Sequence, residues 1–139
     1  MPQISNIVIN DGAATPVAHT FAPIGRDAKG VFWYEQITPT PANPLEAKRI
    51  SYTQTRELDP NNRSSGRSKA IYALYVPTIE DWGGGIPPKV VFEEISRLEF
   101  RLSERSAKQK RKDTRVLSMN LLGSTAVQAN IDDLQTSYG

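Results

Sequence analysis

The hydrophobic period of this sequence changes once. Up to Leu102 apolar residues recur in short runs with a period of two, and from Ser106 onward they recur at helical spacing, through Leu117, Leu121 and Leu122. A period of two puts successive side chains on opposite faces of a strand, whereas a period near 3.6 stripes one side of a helix. Strands first and helices last give, by the logic of packed layers, an α+β fold: an antiparallel meander sheet with helices segregated to one face or end. At 139 residues the chain has room for one core and not two. A single domain over 1–139 is therefore expected, with an N-terminal β-hairpin in 1–24, the sheet in 31–102 and two helices in 104–139.

The individual runs set the expected order. Ile4, Ile7, Val8 and Ile9 make a short β-rich run, and Asp11-Gly12 offers the positive φ of a tight hairpin before a return strand from Val17 to Phe21. Pro16 and Pro23 bracket that strand, because proline cannot donate to a ladder. Such a hairpin is expected to be peripheral. Val31 to Glu35 reads as an aromatic strand, and Thr38 to Pro44, with three prolines, as a loop that is neither helix nor ladder. Lys48 to Arg56 alternates, with Ile50 and Tyr52 opposite Arg49, Ser51, Thr53 and Thr55. A turn-rich tip covers Asp59 to Gly66, and a strand from Ala70 to Val76 ends at Pro77 with Tyr72, Leu74 and Val76 toward the core. A long strand spans Lys89 to Leu102, with Phe92, Leu98, Phe100 and Leu102 on one face. Ser106 and Gln109 fit a capping box, Gly123 a helix stop, and Ser124 or Thr125 the cap of a second helix carrying Val127, Ile131 and Leu134 and running toward Tyr138.

Composition excludes several classes. With no cysteine, a disulfide framework and a thiolate metal site are both impossible. No apolar run reaches bilayer length, and the opening residues lack the basic-then-apolar layout of a signal peptide, so synthesis and residence in the cytoplasm are expected. His19 is the only histidine and has no acid beside it on its strand, while Glu93-Glu94 and Asp132-Asp133 are adjacent pairs rather than facing ones. Acid–base, nucleophilic and metal chemistry all need convergent groups. No catalytic residue, metal or cofactor is expected, and a ribonuclease-like enzyme is the weakest reading.

Charge points to a polyanion. The net charge is only +2, but two segments concentrate the cations: Lys48, Arg49, Arg56, Arg63, Arg67 and Lys69, then Arg101, Arg105, Lys108, Lys110, Arg111, Lys112 and Arg115. The helices raise a separate difficulty. Two short helices cover poorly a sheet with strands of about a dozen residues, when a sheet normally buries one whole face. A second copy supplying its helices would solve this.

The hairpin, meander and two terminal helices together are similar to the coat protein of the single-stranded RNA bacteriophages, the leviviruses. The most specific local likeness is the stretch Ala14-Thr15-Pro16-Val17-Ala18-His19-Thr20-Phe21-Ala22-Pro23, which resembles the hairpin segment of coat proteins from uncultured members of that group, and a second lies in Lys69 to Pro77. The resemblance implies a subunit whose C-terminal helices interlock with a partner's, through Leu117, Leu121, Val127, Ile131 and Leu134, over a continuous dimer sheet. Dimers would build an icosahedral shell, a virion component made in the cytoplasm of a bacterial host. It also implies binding of a genomic RNA hairpin on the inner sheet face, as packaging signal and translational repressor. Four strands are legible between 31 and 102, where the family usually has five in its main sheet.

Three readings follow: a coat that assembles around single-stranded RNA, a dimeric cytoplasmic RNA-binding regulator that forms no shell, and the enzyme. For the RNA, Arg49, Ser51, Thr53 and Thr55 would share a face with Lys69 and Tyr75 on the next strand and with Arg97 and Arg101 on the last. Cations neutralise phosphates, hydroxyls bond phosphate or base edges, and tyrosine stacks on unpaired bases. The same residue types also suit an ordinary solvated face. The basic run Lys108 to Lys112 is the louder signal, but in the family that helix lies outside, so its charges are expected to be solvated or paired with acids such as Glu93 and Glu94. Gly83, Gly84 and Gly85, with Pro87 and Pro88, lack the lysine and hydroxyl residue of a phosphate-binding loop. In a quasi-equivalent shell they would let one loop take different shapes at different vertices; otherwise they form a plain surface turn. No membrane or small-molecule partner is expected.

Overall fold

The structure, a computed structural model, describes residues 4–136, with the backbone alone for residues 59 and 62–65. Six strands form one sheet in sequence order: β1 (Ile7–Asn10), β2 (Ala18–Arg26), β3 (Phe32–Thr38), β4 (Arg49–Asp59), β5 (Asn62–Glu80) and β6 (Lys89–Ser103). The helices α1 (Lys108–Leu122) and α2 (Thr125–Asp132) follow. The sheet is antiparallel and the fold is α+β, as the change of period dictates. Contacts divide the chain into two compact units. One holds most of the sheet, up to Glu57 and again over Ser68–Arg101; the other holds the tip of the β4–β5 hairpin, Leu58–Arg67, and everything from Leu102 on.

The N-terminal hairpin lies at one edge but is continuous with the main sheet. β2 pairs with β3 from Thr20 opposite Thr38 to Arg26 opposite Phe32, so the return strand expected over Val17 to Phe21 is longer and supplies the fifth long strand of the sheet. Pro23 does not end β2. It sits beside a break in register between Pro23 and Gly25, and a bulge tolerates a residue with no amide to donate. The turn also differs from a tight Asp-Gly hairpin, and Gly12 does not take a positive φ. Instead the Asp11 carboxylate accepts the amides of Ala13, 3.1 Å, and Val17, 3.0 Å, while the Asp11 amide donates to the Val17 carbonyl. One side chain thus closes a wider loop. The Val17 amide, the His19 ring and the Ala13 amide hold the Asp11 carboxyl down at about 2.

Register assigns the faces. Phe21 lies opposite Gln36, Tyr34 opposite Ile50 and Phe32 opposite Tyr52, so these six share one face. Phe21, 1% exposed, is the most completely buried large side chain, with Phe32 and Ile50 also in the core. The buried amide of Gln36 ties three segments together. Its Nε2 donates to the Pro39 carbonyl, 2.9 Å, and faces His19 Nδ1 at 3.3 Å, while its Oε1 accepts the Lys48 amide at 3.3 Å. His19 Nε2 lies 3.0 Å from the Asp11 carboxylate; that oxygen makes Nε2 the donor, leaving Nδ1 to accept from Gln36.

Several expected boundaries move. β3 runs on to Thr38, and within the proline loop Pro44–Glu46 forms one 3-10 turn. Asn43 caps that turn, accepting the Leu45 amide while Glu46 accepts the Asn43 amide. Proline at the first position of a turn loses nothing, which is why the loop is not wholly irregular. β5 begins at Asn62, within the expected tip, and passes through Pro77 to Glu80. The Tyr52–Tyr72 stack, with centroids 4.8 Å apart, places Pro77 past the start of β4, where no β4 partner needs its missing amide. Tyr72 itself is only partly covered, not core, although desolvation and the neighbouring Tyr52 and Tyr34 raise its phenol pKa.

The helices also depart from expectation. The Ser106–Gln109 capping box does not form: α1 starts from Ala107, one residue late, without a side-chain cap, and the Ser106 amide and hydroxyl both donate to the Ser103 carbonyl while Gln109 donates to Asp113. Gly123 does stop α1. Ser124 caps α2 by position, though its hydroxyl donates back to Leu121. α2 ends at Asp132, so Leu134 lies beyond it at φ +54° and 87% exposed, and is not a helical i+7 partner of Val127. Tyr138 falls outside the described residues.

Candidate nucleic-acid interface

Opposite the Phe21–Ile50 face, Trp33 pairs with Ser51 and Glu35 with Arg49. Alternation along β4 adds Thr53 and Thr55. Trp33 on β3 meets Tyr75 on β5, ring centroids 5.5 Å apart, and since β4 lies between those strands the contact brings β5 onto the same face. Lys69 shares the face with Tyr75 by alternation, and its Nζ lies 3.3 Å from Glu99 on β6. Arg97 and Arg101 flank Glu99 at two-residue spacing, and Arg101 Nε also reaches Glu99 at 3.3 Å. The eight residues singled out for RNA therefore fall on one side of the sheet.

They are not equivalent there. Ser51 is 8% exposed, lying on the strand that Trp33 and Tyr75 bridge, so its hydroxyl is closed off from the solvent. A residue between two touching rings must be small, and serine meets that need. Arg49 is half exposed, with Glu35 at 3.6 Å. Lys69 is the most enclosed of the cations and Arg101 is half exposed, both sharing the Glu99 carboxylate. Lys69 first, then Arg101, holds that carboxyl below its ordinary range.

Two residues of this face, Trp33 and Glu35, escaped the sequence reading, while Glu99 is read beside Arg97 and Arg101 without its bond to Lys69. Their alternation with buried neighbours carried the signal, since Trp33 and Glu35 occupy odd positions between Phe32, Tyr34 and Gln36. Which odd positions on β3 face which on β4 depends on register, and a one-residue slip reverses every assignment. Trp33 is further fixed by Asp27, whose Oδ2 accepts the indole Nε1 at 3.0 Å while Oδ1 accepts the amides of Lys29, 2.8 Å, and Val31, 3.0 Å. The indole is the largest cause that lowers the Asp27 carboxyl pKa.

Elsewhere, Gly83, Gly84 and Gly85 all take positive φ, between +61° and +80°, with nothing within 4 Å of where a Cβ would stand. Trp82 and Ile86 on either side are exposed, as are Pro87 and the adjoining residues up to the half-buried Pro88. In the helices no residue is buried; Leu117 is 67% exposed, and Leu121 and Ile131 are similarly open, with Val127 less so. The basic run on α1 is mostly exposed, with Arg111 turned back onto the Ser106 carbonyl. Among the described residues no group of three or more His, Asp or Glu could hold a metal, and no helix is long and apolar enough to cross a membrane.

A charged, aromatic sheet face, and helices with no interior of their own, describe a subunit built around surfaces. Known proteins agree. A sequence model of the levivirus coat protein family matches residues 2–138. The structure is similar to the subunit of a virus-like particle of bacteriophage ESE058, with 32% identity, 99% of this chain and 100% of that chain covered, and a TM-score of 0.84. It shares its fold with the virus-like particle of Beihai levi-like virus 21, at 24% identity, coverage of 99% and 100%, and a TM-score of 0.81. The same holds for the capsid protein of bacteriophage GA, at 17% identity, 98% coverage of both chains and a TM-score of 0.64. No curated protein matches significantly. The chain belongs to the levivirus coat protein family, and is a structural capsid protein rather than an enzyme.

Proposed function

We propose that this chain forms homodimers through β6 and the two helices, that the dimers close into an icosahedral shell around single-stranded RNA, and that the Arg49–Lys69 face holds that RNA. The observation that carries the self-association is exposed apolar surface. Phe92 and Ile95 of β6 are 56% and 62% exposed, and Leu117, Met119, Leu121 and Ile131 of the helices stand at 57–67%. Apolar area on this scale in a soluble subunit marks a contact surface. A second copy is the occupant that the solved particles of similar proteins support. β6 is also an edge strand of fifteen residues, whose unpaired amides and carbonyls need a partner.

The RNA reading rests on the cations Arg49, Lys69, Arg97 and Arg101, gathered on one side of the sheet with the carboxylates of Glu35 and Glu99 among them and Glu57 and Glu93 further along the same alternation. An RNA hairpin bound there would serve as packaging signal and translational repressor, in the cytoplasm of a bacterial host. Electron microscopy of purified protein tests the shell: particles tens of nanometres across are expected, and a small dimer persisting at high concentration would favour the regulator instead. Truncation after Gly123 should leave insoluble protein, whereas a soluble folded monomer would contradict interlocking. Arg49→Ala should weaken RNA binding and flatten its salt dependence while Lys110→Ala does little, and the reverse result would move the interface to α1.

A further inference from the structure

We infer that Trp33 and Tyr75 form a preset stacking shelf for an unpaired base of the bound RNA, an assignment that rests on the RNA reading above. Base stacking needs an aromatic surface that is open on one side, fixed in place and flanked by cations that hold the strand. Each requirement has a counterpart here. Both rings are only partly buried, and they meet at 5.5 Å with 38° between their planes, close enough for each to support the other over β4 while the pair keeps a solvent-facing side.

The surface is fixed in place. The indole Nε1 is anchored on Asp27, whose other oxygen is engaged by two backbone amides, so the ring cannot swing without opening the loop between β2 and β3. Ser51, opposite Trp33 on β4, and Ala73, on the Tyr75 side of β5, are both small and buried. A large residue at position 51 would fill the space over β4 that the rings now share. Order imposed before binding removes much of the entropy cost of forming the contact.

The flanking charge suits a nucleotide. Arg49 precedes Ser51 on the same face and is half exposed, at the long separation of 3.6 Å from Glu35, so it retains the freedom to meet a phosphate while a base lies on the rings. Stacking is indifferent to base identity because every base has a π face. The shelf therefore binds a looped-out or single-stranded nucleotide, and sequence preference must come from other groups.

The test compares an oligoadenylate of about ten nucleotides, end-labelled, with an abasic ribose-phosphate strand of equal length, on purified RNA-free protein over a range of salt concentrations. Wild-type protein is expected to prefer the oligoadenylate. Trp33→Ala should lower oligoadenylate affinity by roughly 5- to 150-fold, the range of one lost base–aromatic stack. It should leave abasic-strand affinity and the salt slope as they were, because stacking releases no counterions. Trp33→Phe and Tyr75→Phe should keep most of the preference. Should Trp33→Ala fail to fold, 2-aminopurine in the strand reads stacking directly on wild-type protein, as fluorescence quenching on binding. Equal affinity for both strands, or no quenching, overturns the shelf and leaves charge-driven RNA binding standing. Binding of neither strand overturns both.

Discussion

Replacing Glu99 by glutamine should strengthen RNA binding, an outcome that runs against the usual expectation that a surface ion-pair mutant is neutral or harmful. Glu99 accepts from both Lys69 Nζ and Arg101 Nε, each at 3.3 Å. Those two cations are thereby half neutralised, on the face where a phosphate would have to compete with a carboxylate for them. Glu99→Gln keeps the size of the side chain and removes its charge. Each cation freed to neutralise one phosphate steepens the slope of log K against log salt by about 0.7 for a single strand. One freed cation is then worth roughly fourfold in affinity at about 0.15 M salt, and two are worth on the order of tenfold. The fold should hardly notice, since ion pairs at a surface contribute little to stability. Fluorescence anisotropy with a labelled RNA at several potassium chloride concentrations reads both affinity and slope, and thermal melting checks the fold. A variant with unchanged slope and unchanged affinity would mean that Lys69 and Arg101 do not meet phosphate, and the interface would have to be sought elsewhere.

Phe21→Ala should cost about 3–5 kcal/mol in denaturant unfolding, the usual range for a fully enclosed phenylalanine, because Phe21 is 1% exposed; a loss below about 1 kcal/mol would mean that β2 does not anchor the sheet. Changing Gly83, Gly84 and Gly85 together to alanine puts three Cβ-bearing residues at φ of +67°, +61° and +80°, at about 1–2 kcal/mol each if the loop kept its shape. With open space around it the loop should instead adopt a new shape, leaving the melting temperature near wild type but changing particle size or yield by electron microscopy; normal particles would remove the loop from assembly. Asp11 has a folded-state pKa of about 2 against 3.8 ordinarily. Its contribution is therefore present in full above about pH 4 and lost as pH falls toward 2. Asp11→Asn should flatten the acid dependence of stability in that window, and an unchanged acid transition would show that the loop closure contributes nothing.

How much of this was legible beforehand follows from what each feature depends on. The order of strands and helices, the β4 alternation and the stop at Gly123 are local, and periodicity and composition carried them. Ser106 and Gln109 had the right spacing for a capping box, yet the Ser103 carbonyl takes the Ser106 amide and the helix starts one residue later, from Ala107. Pro77 and Pro23 marked strand ends only on the assumption that their amides were needed, and a strand past its partner or at a bulge needs none. Leu134 fitted the apolar spacing of α2, but the helix ends at Asp132 and the backbone turns left-handed two residues later. The eight RNA candidates could be named from alternation alone. That Ser51 is shut beneath two rings, and that Glu99 shares Lys69 with Arg101, depended on contacts across strands, which no single stretch of sequence records.

Gln36 has a consequence for the ageing of this protein. Its amide nitrogen serves the Pro39 carbonyl and the His19 ring, and its oxygen serves the Lys48 amide, so both ends of one carboxamide are committed. Deamidation exchanges that nitrogen for oxygen, and the resulting carboxylate would face a carbonyl and an imidazole lone pair with no proton to offer either. Chemical damage at this one atom would therefore set a carboxylate against the Pro39 carbonyl and disturb the N-terminal hairpin and the 39–48 loop together.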